Sequence, residues 1–250
     1  MPYKLGKLSP KYNPKTLRFS AYLKTPVLPA PPAKAYWEYK IPPATIGMFL
    51  NDQIGDCTCA AVAHHIMLMT AHTGSVVVPT DAEVLAMYSA ISGYDPKTGA
   101  NDNGCAITDV LEYWQNTGLA GHKIDGWASI DPTNAMYRKL GVYLFAAANV
   151  GVQLPASAQD QFSAGETWTP TGDLSIEGGH DILESGYGKD GDNYETWGKG
   201  DQKATNDWSA QFVDESYVVL SKDWVDMASD IAPNAMNYGQ LQADLAAIKA

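Results

Sequence analysis

Cys57 stands in Gly55-Asp56-Cys57-Thr58-Cys59-Ala60-Ala61-Val62-Ala63-His64, between a turn and an apolar run that opens a helix. His180 stands in Gly179-His180-Asp181-Ile182-Leu183-Glu184-Ser185-Gly186-Tyr187-Gly188, a strand pattern closed by a Gly-Tyr-Gly turn. A thiol at a helix N-terminus and an imidazole on a distant strand are the two halves of a cysteine nucleophile site. The helix end lowers the thiol pKa and the imidazole takes the proton. Cys59, still within the first helical turn, is the second candidate nucleophile. Asp56 is the expected N-cap, and its carboxylate works against a thiolate next to it. Cys57 and Cys59 together with His64 and His65 match no standard zinc spacing, and the polar loop 95–104 lacks the calcium-loop pattern. No metal or organic cofactor is implied.

The elements that must position these groups change character along the chain. Residues 1–50 read as coil with turns. A first helix runs from Asp56 to about His72-Thr73-Gly74, and a second from Thr80-Asp81-Ala82-Glu83 to Ile91, stopped at Ser92-Gly93. Helices also suit Thr108 to Thr117 and Asn134 to Ala146. Strand patterns follow at Val150 to Leu154, His180 to Glu184, Tyr194 to Trp197 and Ser216 to Leu220, and Tyr238 to Ala250 closes the chain as a short helix. Helices first and strands later predict an α+β fold rather than alternating units.

The ordered set of motifs resembles the papain-like cysteine peptidases, in particular bacterial and phage relatives with an Asn-Asp-x-x-Gly-Asp-Cys segment. Asn51 lies six residues before Cys57, and Gln53 six before Cys59. Asn103-Gly104-Cys105 looks like the family's substrate-binding edge, Gly179-His180 with Gly186-Tyr187-Gly188 like the surroundings of its base, and Glu195-Thr196-Trp197-Gly198 like its Asn-Ser-Trp-Gly segment. Glu215-Ser216-Tyr217-Val218-Val219-Leu220 looks like the closing strand. The separation of Cys57 and His180 is near the family's nucleophile-to-base spacing. The resemblance implies a two-lobed fold, with a helical lobe over about 49–147 and a β-rich lobe over about 148–225. Cys57 is then the nucleophile, His180 the base, Glu195 the third member that orients the base, and Asn51 the oxyanion donor. Gly104 and Trp197 fall at the substrate, with Trp197 packed over the histidine. If Cys59 is the nucleophile instead, Gln53 takes the oxyanion role.

The 250 residues suffice for one large domain or two lobes, 49–225, with a tail over 226–250. The charge is uneven. Residues 1–40 hold eight Lys/Arg against Glu38 alone, a net +7, so the overall −11 leaves −18 on the remainder. Nine of the 15 prolines fall in the first 43 residues, which marks 1–48 as an extended basic arm. Tyr3, Leu5, Leu8, Tyr12, Leu17, Phe19, Tyr22 and Leu23 give it apolar anchors, so it is expected to lie on its own domain or on a neighbour's. Laid across the cleft, it would be a built-in inhibitor. An acidic body excludes nucleic acid as the main partner, and no apolar run reaches membrane-spanning length. The N-terminus lacks a secretory pattern, and the odd count of three cysteines leaves a free thiol, which fits a cytoplasmic or virion-associated protein. Two readings follow: a peptidase or amidase acting by Cys-His acyl transfer on a peptide or protein substrate, or a papain-like fold kept as a structural or binding protein that assembles through its arm.

Overall fold

Helix α1, Cys57–Thr73, is buried on nearly every side from Cys57 to Ala71, as an apolar run of small and large residues without a polar stripe requires. The computed structural model describes residues 3–24, 30–231 and 236–249. Around α1 stand α2, Asp81–Ser92, and α3, Ile107–Asn116. The expected capping box starts α2: Glu83 N–H donates to Thr80 Oγ1 while Thr80 N–H donates to the Glu83 carboxylate, 2.8 Å away. Gly93, in the left-handed region at φ 76°, ends it. In α3 the buried residues Ile107, Val110, Leu111 and Trp114 fall on one face at helical spacing.

The other side of the molecule is a single sheet of eight strands. These are β1 (Leu17–Arg18), β2 (Ala35–Tyr36), β3 (Gly126–Ile130), β4 (Ala148–Pro155), β5 (Ile176–Tyr187), β6 (Gly191–Thr196), β7 (Lys199–Thr205) and β8 (Val213–Leu220). The order is β1-β3-β8-β4-β5-β6-β7, with β2 added on β5. Helix α1 packs against β5, the strand that carries His180. The α+β reading holds, with α1 packed against β5 and α3 against β3.

Helix α4 is Ala135–Phe145, and the short α5 (Ala156–Ser163) and α6 (Asn206–Phe212) follow β4 and β7. Arg138 of α4 is buried between Asp192 Oδ2 at 2.6 Å and Glu184 Oε2 at 3.3 Å, which ties the helix to β5 and β6. Helix α7 (Lys222–Ile231) spans the expected boundary at 225, and its Trp224 is buried with the indole N–H on the Phe145 carbonyl. From the tail itself, Ala228, Met236, Leu241 and Leu245 are buried in the same core. Helix α8 (Tyr238–Lys249) is the expected last helix; Ala250 lies outside the described residues.

The arm is neither coil throughout nor free. β1 pairs parallel with β3, and β2 pairs antiparallel with β5. Lys11 and Lys15 reach Asp109 at 2.7 Å and Glu112 at 2.9 Å on α3. The described arm residues lie on their own domain.

Candidate active site

Cys57 opens α1 and is almost fully buried, with backbone hydrogen-bond donors of Asp181 and Gly6 facing its sulfur. The thiol thus sits against the residue that follows His180. Burial, with lesser contributions from Asp181 and Asp56, pushes its pKa far up rather than down. Asp56 precedes the helix but makes no side-chain cap hydrogen bond. Its carboxyl is buried beside Asn51, and desolvation raises its pKa well above the usual range.

Cys59 points elsewhere. It is fully buried in the apolar core, with its thiol on that of Cys105. Gln53 is exposed, whereas Asn51 is buried. The Asn51 side-chain amide donates to the carbonyls of Lys4 and Ile54, each at 3.4 Å.

His180 is fully buried, and burial holds its pKa down to about 3. Its Nε2 lies 2.7 Å from Thr196 Oγ1, and its Nδ1 has no hydrogen-bond partner among the described residues. The indole of Trp197 stacks on the imidazole with ring centroids 4.5 Å apart and planes 20° from parallel. This is the packing expected of Trp197.

Glu195 does not orient the histidine. Its carboxyl is fully buried against Glu38 of the arm, with which it shares a hydrogen bond, and lies 3.6 Å from His64 Nε2. Desolvation and Glu38 raise its pKa well above the carboxylate range, and burial holds His64 down to about 4, so this contact joins neutral groups. Strand pairing shifts register between Glu184 and Gly186 on one side of β6 and between Tyr194 and Thr196 on the other. Such irregularities re-aim side chains, because successive residues of a strand face opposite sides. Thr196 faces the imidazole, and sequence reasoning missed it by one residue. His64 and His65 bond Gly47 O and Asn149 Oδ1, each at 2.8 Å, as core histidines do.

Gly104 turns the chain at φ 77°, and the arm lies on the edge that follows it. Cys105 N–H donates to the Gly6 carbonyl at 2.8 Å, Leu8 N–H to the Cys105 carbonyl at 3.0 Å, and Lys7 N–H to the Gly179 carbonyl at 3.0 Å. A Cβ on Gly6 would fall 1.8 Å from Gly55 O, one on Gly104 1.9 Å from Gly6 O, and one on Gly179 2.2 Å from Lys7 O. The arm backbone fills the cleft between thiol and histidine strand with no room to spare. Tyr3 extends the stack, its ring 4.7 Å from the free face of Trp197. The arm's signal was present in the sequence: Gly6 is the sole glycine before Gly47.

Solved structures share the fold that carries these residues. Xylellain, a cysteine protease from Xylella fastidiosa, superposes with a TM-score of 0.66 over 88% of this chain and 97% of its own, at 15% identity. The chain has the papain-like fold. The Carica candamarcensis cysteine protease CMS1MS2 superposes at a TM-score of 0.56, 14% identity, 76% of this chain and 99% of its own. Procathepsin L 3 of Tenebrio molitor larval midgut gives 0.61, 12% identity, 84% of this chain and 75% of its own. No family model and no curated protein matches the sequence. The papain-like likeness thus rests on shape and on the order of short motifs.

Proposed function

We propose that this chain is a cysteine peptidase held in a blocked state by its own N-terminal arm. The observation that carries the reading is an extended segment, residues 4–8, lying over the Cys57 thiol with the backbone hydrogen bonds of a bound peptide. A cleft that binds one extended peptide by backbone pairing is built to bind another.

In the blocked state burial keeps both the Cys57 thiol and the His180 ring neutral. The Gly6 carbonyl is turned to Cys105 rather than to Asn51, so the arm does not present this bond for attack. Withdrawal of the arm lets water in and returns both groups toward their ordinary pKa values. With Nε2–H donating to Thr196, Nδ1 carries the lone pair that takes the thiol proton. The thiolate attacks the substrate carbonyl carbon, and the oxyanion is held by the Asn51 amide and the Cys57 N–H, unpaired at the helix start. The imidazolium returns its proton to the departing amine, leaving a thioester. Water, deprotonated by His180, then cleaves the thioester to the acid and the free thiol. Thr196 acts as a positioning residue, and Trp197 shields its bond to the ring.

Labelling of the full chain with peptidyl electrophiles tests this. A Gly6→Val variant, which cannot seat its arm, should react at Cys57 at least tenfold faster than the unaltered chain. That reaction should vanish in Gly6→Val/His180→Ala. Equal, slow labelling of all three cysteines in both variants would overturn the peptidase reading and leave a structural or binding protein.

A further inference from the structure

The side chain of Lys7 has no exposed surface. Its ammonium donates to Glu215 Oε1 at 2.9 Å and Asp214 Oδ2 at 3.1 Å, and Asp181 lies within electrostatic reach. The site is built around this head. Tyr217 O–H donates to the other Glu215 oxygen at 2.9 Å, and the Gln153 amide donates to Asp214 Oδ2 at 2.6 Å. The Asp181 carboxyl is buried, with the Asn149 side-chain amide as its polar neighbour. Gly151 of β4 makes the space: a Cβ there would stand 2.5 Å from Glu215 Cγ and 2.8 Å from Lys7 Cδ. Three carboxyls thus converge on one cation, which comes from the arm residue opposite Cys105 on the edge. When the arm leaves, that acidic pocket loses its cation while its walls remain, and buried carboxylates without a partner are costly. Another cation is the replacement that relieves the cost.

Resting on the peptidase reading, we propose that the Asp181–Asp214–Glu215 pocket is the specificity pocket of this protein, taking the lysine or arginine side chain of a peptide that replaces the arm. Lys7 is the occupant that shows its chemistry. A glutamate at the same peptide position is repelled, and a leucine leaves the carboxyls unpaired.

Two measurements on the full chain test the proposal separately from catalysis. In Lys7→Ala, n-butylammonium should raise the melting temperature several degrees more than n-butanol at equal concentration, and Glu215→Gln added to that variant should abolish the difference. Lys7→Met serves if Lys7→Ala does not fold. In Gly6→Val, a peptidyl electrophile with arginine opposite Cys105 should label Cys57 at least tenfold faster than its leucine counterpart. Equal effects of ammonium and alcohol, or a preference for leucine, would overturn the pocket while leaving the peptidase reading intact. Absence of labelling by either probe would overturn the peptidase reading, and the ammonium result would still decide whether the pocket takes a cation.

Discussion

Thr196, not its neighbour Glu195, holds the imidazole of His180, with Oγ1 2.7 Å from Nε2 under the cover of Trp197. A hydroxyl can accept from Nε2–H as an amide oxygen does, so the ring orientation needs only one good acceptor. In a Gly6→Val background, Thr196→Val should lower kcat about 10- to 100-fold with KM little changed. Thr196→Ser should restore most of it. Steady-state peptide hydrolysis by the three variants makes the check; an unaltered kcat in the valine variant would remove Thr196 from the site.

The arm's hold on the cleft predicts a trade between stability and access. Gly6→Val forces a side chain into the Gly55 carbonyl, so residues 3–8 must lift away. Thermal melting should fall by a few degrees while Cys57 becomes reactive, since the docked arm stabilises the fold. Mass mapping of the alkylated peptide should find Cys57 and leave Cys59 and Cys105 in the core unreacted.

Glu38 and Glu195 set a pH dependence. Burial raises Glu38 to about 7, and burial with the neighbouring Glu38 raises Glu195 further, so Glu195 keeps the proton that joins them. Below the ordinary carboxylate range both states are protonated and the pair costs nothing. As pH rises the unfolded carboxyls ionise first, so stability falls between roughly pH 4.5 and 7. For Glu38 alone the loss is on the order of 3 kcal/mol. Urea denaturation at pH 4.5 and 7.5 should show it, and Glu38→Gln should flatten the difference.

Arg138 offers a test of the scaffold. Arg138→Met would leave Glu184 and Asp192 buried without their cation. The expected cost is about 3–5 kcal/mol in denaturant unfolding. Arg138→Met/Glu184→Gln/Asp192→Asn should recover much of it, because the penalty comes from unpaired charge rather than lost volume.

Much of this protein was legible in its residues. The apolar run after Cys57, the Thr80–Glu83 box with Gly93, and the strand around His180 each carry a local signal that the fold obeys, and their order pointed to the papain-like architecture. Strand β7, Lys-Gly-Asp-Gln-Lys-Ala-Thr, carried no apolar signal, because its inward residues are Gly200, Gln202 and Ala204 rather than branched or aromatic ones. Two decisions belonged to the tertiary structure alone. Which of two adjacent residues meets His180 depends on strand irregularities that no local pattern fixes, since a shift of one residue turns a side chain to the opposite face. That Gly6 and Lys7 enter the cleft depends on closeness between segments more than 45 residues apart, where Gly55, Gly104, Gly151 and Gly179 leave room for the arm. A chain's residue types determine what can bind a lysine or cover a thiol; only packing decides which lysine and which thiol.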